Sequence, residues 1–292
     1  MVDALTAGLA LASLRVMLLV PYERRIPLAG LFVSRLVAPV AGYRRRIRQN
    51  LALALPDLAP EEVSRLVRAV PDNVGRTIAE IWSGREFVAR VGALPIEGPG
   101  VPTLEAARAE GRPVILAGGH IGNYDAARAA LISQGFPMGG LYKPMTNRAF
   151  NGPYVRAIEA VGKPLFPRGK AGMTEMVRFL RAGGMLGLLT DQSMRRGRVF
   201  TFFGQPALTA TSAADLALRY DAPLLTFYGL RQPDGLSFRI IVGGPIPRSD
   251  ARSMTQALND DLERVARDHL DQWFWIHRRW KAAGSRRDGG AT

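Results

Sequence analysis

The 292-residue chain contains no cysteine. That excludes disulfides, thiolate metal sites and a cysteine nucleophile, and fits a reducing compartment. Histidine is nearly as scarce, at three residues, which argues against a structural zinc site. Acidic residues are in the minority: 25 Asp plus Glu stand against 39 Lys plus Arg, a net charge of +14. Such an excess points to an anionic partner, whether nucleic acid, an anionic membrane surface or an acidic protein. No recognisable nucleic-acid-binding motif accompanies it. An uninterrupted apolar run of about 18 residues, the length of a spanning helix, is missing too. "ALTAGLALASLRVMLLV" (4–20) is broken by Arg15, and "IPLAGLFVSRLVAPVAG" (26–42) by Arg35. The sequence also lacks a G-x-S-x-G elbow, a G-x-x-x-x-G-K-[ST] loop and an H-E-x-x-H pair, and so the commonest signatures of serine esterases, nucleotide binding and zinc hydrolases. Nothing in it asks for a metal or an organic cofactor.

Hydrophobic residues make up 47% of the chain, enough for a sizeable core in one large domain or two small ones. The segment ahead of the first apolar stretch has no positive charge, unlike a secretory signal. The two interrupted stretches read instead as a membrane anchor. They would form a short tilted span or an in-plane amphipathic pair, with the basic residues at 44–48 held at anionic head groups. The alternative is a pair of ordinary core helices. Further basic knots lie at Arg195-Arg196 and Arg278-Arg279.

Residues 61–82 carry Val63, Leu66, Val67, Val70, Val74, Ile78 and Ile81 at helical spacing, with Pro71 expected to kink or divide the helix. The Pro/Gly-rich stretch 95–102 reads as a connection. From 113 onward short apolar strands alternate with helices. "PVILA", "GGLYK", "PLF" and "MLGLLT" are the strands, with helices near 123–134, 153–161 and 172–184 between them. After a loop follow the helix "TSAADLALRY", strands "PLLTFYGL" and "LSFRIIV", and a last helix from about 253 into the tryptophan-rich end. This alternation predicts an α/β fold: a largely parallel central sheet with helices on both faces and an antiparallel hairpin at its edge. The expected organisation is an N-terminal helical membrane-associated region (1–50), a main domain (51–285) and a disordered tail (286–292).

In an open parallel sheet, ligands bind beyond the carboxyl ends of the strands. His120, Lys143, Arg168 and Asp191 each follow one of the four strands, so the topology predicts that all four line one edge. In "ILAGGHIGNYDAA" (115–127), Gly118 and Gly119 would allow a sharp turn. Asn123 is a candidate N-cap, and Asp125 would lie in the first helical turn. Its carboxylate could hold one nitrogen of His120 and leave the other as a base. The same pattern also suits a capping Asp beside a structural His. His269 and His277 have no carboxylate at a useful spacing. A base without a protein nucleophile suggests that a substrate hydroxyl is the nucleophile.

Six segments, in order, carry a resemblance: "RRRIRQNLALALPDLAPEEV", "GGHIGNYD", "YKPMTN", "FPRGKAGM", "LTDQSMRRGRVFTFFGQPALTATSAADLALRYDAPLL" and "WFWIHRRWK". Together they resemble the late acyltransferases of lipid A biosynthesis, of the lauroyl/myristoyl type, within the glycerolipid acyltransferase superfamily. The resemblance implies acyl transfer from an acyl-carrier-protein thioester to a hydroxyl of an anionic lipid, at the cytoplasmic face of the inner membrane. His120 would be the general base and Asp125 its orienting partner. Arg168, Asp191, Lys143 and Asn123 would lie around the substrate. Arg168 would hold a phosphate or the developing oxyanion, and Lys143 stands where the family often has arginine. The basic surface would suit both the acidic carrier protein and the acceptor's phosphates. The tryptophans and cations of "WFWIHRRWK" suit either a membrane interface or a helix packed on the sheet. Two other readings remain: a relative acylating a lysophospholipid, aminolipid or other glycolipid, and a non-catalytic protein that binds anionic lipid.

Overall fold

The computed structural model describes residues 2–280; the tail expected at 286–292 lies outside them. Helices α1 (Val2–Leu18) and α2 (Tyr22–Phe32), a π-helical turn (Val33–Val37), α3 (Ala38–Val40) and α4 (Tyr43–Ala54) lead into the long α5 (Pro60–Ser83) and α6 (Arg85–Val91). The alternating part follows: β1 (Ile96–Glu97), α7 (Val101–Ala109), β2 (Val114–Gly118), α8 (Tyr124–Ser133), β3 (Met138–Tyr142), α9 (Arg148–Val161), β4 (Leu165–Pro167), α10 (Lys170–Arg181) and β5 (Met185–Leu189). It continues with β6 (Arg198–Phe202), β7 (Gln205–Thr209), α11 (Ser212–Arg219), β8 (Leu224–Arg231), β9 (Phe238–Val242) and α12 (Ala251–Asp268).

Seven strands form one sheet in the order β1-β9-β8-β2-β5-β3-β4. The five from β8 to β4 are mutually parallel. β2 is buried along its whole length, as a strand covered on both faces must be. Its side chains alternate between two cores. Val114 and Leu116 pack with α6, α7, α8 and α9, and Ile115 and Ala117 with α10, α11 and α12. The hairpin β8–β9 is antiparallel as expected. It is not the edge, however, because the two-residue β1 pairs parallel with β9 and covers it.

Three further expectations change. Pro71 lies inside α5 and does not divide it. The segment read as a loop after β5 contains a separate hairpin, β6–β7. Phe203 and Gly204, both at positive φ, turn its chain, the backbone that a two-residue hairpin needs. The tryptophan-rich end is not helical. Trp273, Trp275, Ile276 and Trp280 are buried against Phe202, Phe203 and α4 in a third core. These tryptophans are therefore not available to a membrane interface.

No single described helix is long and apolar enough to cross a membrane. The pair Tyr22–Val40 and Tyr43–Ala54 reaches that hydropathy only jointly, across an 87° bend. One face of α2 packs tightly on α5. A Cβ on Gly30 would come within 2.5 Å of the Asp72 carboxylate, and one on Gly75 would collide with the Ala29 carbonyl oxygen. Arg25 is buried in this contact, bonding Ser83, Glu86 and the carbonyls of Leu18 and Val20.

Candidate active site

β2 and β5 are neighbours in the sheet, and Gly118 at the end of one is in register with Leu189 at the end of the other. Two residues beyond each lie His120 and Asp191. The imidazole Nδ1 of His120 is 2.7 Å from Asp191 Oδ1, and the backbone N–H of His120 donates to Asp191 Oδ2 at 2.8 Å. Trp273 Nε1 donates to the same Oδ2 at 3.1 Å. A carboxylate only accepts, so Nδ1 of His120 carries a proton, and in the neutral ring the lone pair is on Nε2. Gln192 Nε2 lies 3.3 Å from that Nε2, the arrangement of an amide donating to it. Burial pushes the Asp191 carboxyl up, but the charge and hydrogen bonds of His120 outweigh it and bring it down to about 2. Asp191 is therefore ionised at neutral pH.

This corrects the expected pairing of His120 with Asp125. Among the described hydrogen bonds of His120, none goes to Asp125. The carboxylate of Asp125 instead accepts from Arg128 Nε at 2.7 Å, three residues along α8. Arg128 also donates to the carbonyls of Gly162 and Ile158 at the end of α9. Both partners are buried, at 6% side-chain exposure each, and together they tie α8 to α9. Asn123 is the N-cap predicted, accepting from the backbone N–H of Asp125 at 3.0 Å. It is wholly buried and donates to Glu80, which forms a two-pronged ion pair with Arg231. It does not line the cavity described below.

Glycines shape this turn, though differently from the expectation. The residue at positive φ is Gly122, where a Cβ would collide with the Gly229 carbonyl oxygen. Gly119 serves close approach, since a Cβ there would sit 3.2 Å from Asp191 Oδ2 and 2.7 Å from Leu262.

The edge beyond the strands holds a cavity of about 420 Å³, lined by His120, Lys143, Arg168 and Gln192 among others. The four strand-end residues thus come together as the topology predicted, with Asp191 behind His120 rather than facing the cavity. Asp125 and Arg128 form part of its wall. The inner wall is apolar, built from Met138, Leu141, Ile158, Leu165, Leu188 and Phe227. Gly187 keeps it open, because a Cβ there would come within 2.6 Å of Met138 Cε. Lys143, Arg168 and Gln192 are exposed. No group of acidic and histidine side chains among the described residues could hold a metal ion.

Gln192, Trp273 and His277 are the site residues that sequence reasoning missed. Gln192 directly follows Asp191, so the strand-end rule reached within one residue of it. Trp273 and His277 come from the far end of the chain. His277 Nε2 accepts from the backbone N–H of Ser193 at 2.9 Å, which places it beside the His120–Asp191 pair despite its distance in sequence.

Chemically, the cavity offers an imidazole oriented by a buried carboxylate, cationic groups and a long apolar wall. Known proteins are similar to this chain in sequence. The lauroyltransferase of lipid A biosynthesis from Escherichia coli (strain K12) is 24% identical over 244 residues, 80% of this chain and 78% of that protein. The palmitoleoyltransferase of lipid A biosynthesis from the same organism is 24% identical over 265 residues, 86% of this chain and 83% of that protein. The phosphatidylinositol mannoside acyltransferase of Mycobacterium tuberculosis (strain CDC 1551 / Oshkosh) is 24% identical over 250 residues, covering 82% and 78%. The family described as bacterial lipid A biosynthesis acyltransferase matches residues 2–282, and the chain belongs to that family.

Proposed function

We propose that this protein moves a fatty acyl chain from an acyl-carrier-protein thioester to a hydroxyl of a lipid A precursor, with His120 as general base. The observation that carries the reading is the His120–Asp191 pair at the mouth of an apolar cavity. Nε2 of His120 takes the proton of the acceptor hydroxyl as its oxygen attacks the thioester carbonyl. The imidazolium so formed is held by the ionised Asp191. Collapse of the tetrahedral intermediate breaks the C–S bond, and the imidazolium returns the proton to the departing thiolate. The acyl chain lies along Met138, Leu188 and Phe227, in a cavity of a size usual for small ligands. Arg168 and Lys143 at the rim take the anionic groups of donor or acceptor; only arginine offers the planar fork that grips a phosphate through two hydrogen bonds.

The N-terminal region suits the inner membrane's cytoplasmic surface. Leu28, Leu31, Phe32, Leu36 and Val40 are exposed on α2, the π turn and α3, with Arg24 and Arg35 exposed among them. Apolar side chains with interspersed cations are the pattern of a helix lying in the head-group layer. The net charge of +14 adds attraction to an acidic carrier protein and an anionic lipid.

A second acceptor class remains in view because a mycobacterial relative named for a mannosylated lipid matches at the same 24% identity as the two Escherichia coli lipid A enzymes. The test is a transfer assay with lauroyl-acyl carrier protein and a panel of hydroxylated lipids, including a lipid A precursor. Wild-type protein should acylate the lipid A precursor, and His120→Ala should lose about 10²–10⁴-fold. Near-normal transfer by His120→Ala would overturn the role of His120. Transfer only to a different acceptor would overturn the substrate.

A further inference from the structure

The segment after α12 runs back across the site, touching the His120–Asp191 pair twice and the loop beyond Asp191 once. Phe274 N–H donates to the His120 carbonyl oxygen at 2.9 Å. Trp273 Nε1 donates to Asp191 Oδ2 at 3.1 Å. His277 Nε2 accepts from Ser193 N–H at 2.9 Å, two residues beyond Asp191. The segment is itself held from behind by α4. The buried Asn50 donates to the carbonyls of Trp275 and His277 at 2.6 and 2.8 Å. Hydrogen bonds therefore run unbroken from α4 through this segment to the loop after β5 and on to His120.

We propose that residues 273–277 form a positioning strap for the reactive pair, in which His277 fixes the loop carrying Asp191 and Trp273 fixes the Asp191 carboxylate. The inference rests on His120 being the base. Asp191 meets His120 with both oxygens, one at the ring and one at the backbone N–H, and only one rotation of the carboxylate does so. The loop that carries it leaves β5 at Leu189; Thr190 N–H still donates to the Gly118 carbonyl oxygen and Met194 N–H to that of Leu208, and between these two anchors the strap adds the contacts to the Asp191 carboxylate and to Ser193 N–H. His277 does this only while its Nε2 is unprotonated, and burial keeps its pKa down at about 4. Neither side chain lines the cavity. They act through Asp191.

Three variants test this: His277→Ala, which removes the acceptor; His277→Gln, whose carbonyl can accept from Ser193 N–H; and Trp273→Phe, which keeps the ring and removes the donor. Transfer from lauroyl-acyl carrier protein to a lipid A precursor gives kcat and KM. The ring ¹⁵N signals of the three histidines report the tautomer of His120 directly. The expected result for His277→Ala and Trp273→Phe is a fall in kcat of about 10–100-fold with KM within about twofold, the usual loss when a supporting contact is removed. His277→Gln should recover most of the loss. In the impaired variants the His120 signals should shift from the Nδ1–H form toward a mixture of tautomers. Wild-type kcat in both impaired variants, or a kcat loss with unchanged His120 signals and no rescue by Gln, would overturn the strap. Near-normal turnover by His120→Ala would instead overturn the reading beneath it, so the two failures are separable.

Discussion

At the scale of single residues, two aspartates near one histidine have separate work. Asp191 is ionised and bonded to His120, whereas Asp125 balances the buried Arg128. Asp191→Asn should lower kcat about 10²–10⁴-fold, its main effect falling on catalysis, because an amide in its place disturbs the ring's tautomer. Asp125→Ala should do the reverse: it strands a buried guanidinium and should cost about 3–5 kcal/mol in unfolding free energy, with kcat of the folded protein much less affected. Paired denaturation and kinetic measurements decide between them. An Asp125→Ala protein of normal stability and collapsed kcat would restore Asp125 as the orienting acid. His277 adds a pH dependence. Its folded pKa of about 4 lies below the ordinary 6.5, chiefly through burial; Asp191 favours its proton, and His120, Arg279 and Arg46 oppose it. Between those values the unfolded chain binds more protons, so stability is complete above about pH 6.5 and falls as the pH drops toward 4. Roughly 2 kcal/mol, allowing for partial exposure, should be lost across that window. His277→Gln should flatten this part of the curve in urea unfolding at pH 7 and pH 4.5. Equal slopes in the two proteins would show that His277 titrates normally.

At the scale of elements, the His120–Asp191 pair depends on which strands are neighbours. β2 and β5 are far apart in sequence but adjacent in the sheet, so His120 and Asp191 leave the sheet side by side. The N-terminal helices depend on backbone proximity in a similar way. α2 and α5 come close enough that a methyl at Gly75 meets a carbonyl oxygen rather than a flexible side chain. Gly75→Ala should therefore destabilise the protein by about 1–3 kcal/mol, visible as a lowered Tm. Gly8→Ala, with open space around it, should be neutral or slightly stabilising. Equal effects at the two positions would mean that α2 can move off α5 at little cost.

At the scale of the whole molecule, one region carries exposed apolar side chains beside exposed arginines. Removing residues 1–42 would uncover the face of α5 that α2 buries, so truncation confounds membrane attachment with unfolding. Point changes avoid this: Leu31, Leu36 and Val40 are 43%, 60% and 92% exposed. Replacing all three with Gln should weaken binding to phosphatidylglycerol-containing vesicles at least about tenfold, from about 0.5–1 kcal/mol of lost burial at each position, without changing Tm. Undiminished flotation with the vesicles would place the membrane contact elsewhere on the surface.

The sequence by itself determined the α/β class, most of the strands, the cap at Asn123, and the gathering of His120, Lys143, Arg168 and Asp191 at one sheet edge. These follow from local periodicity together with a topological rule: parallel strands joined by helices all end on the same side. Tertiary structure alone decided which acid serves His120. Proximity in sequence favoured Asp125, but α8 turns that carboxylate along its own surface to Arg128, three residues on and one helical turn away. Asp191 takes its place through the strand order β5-β2, which no periodicity encodes. The end "WFWIHRRWK" shows the same limit. Its aromatic and basic residues fit an interface equally well in composition, and only the packing of Phe202 and Phe203 against Trp273 and Trp275 puts these two tryptophans inside. His277 had no partner at a useful spacing because its partner is a backbone N–H of another segment, a contact that exists only once the chain has folded back on itself.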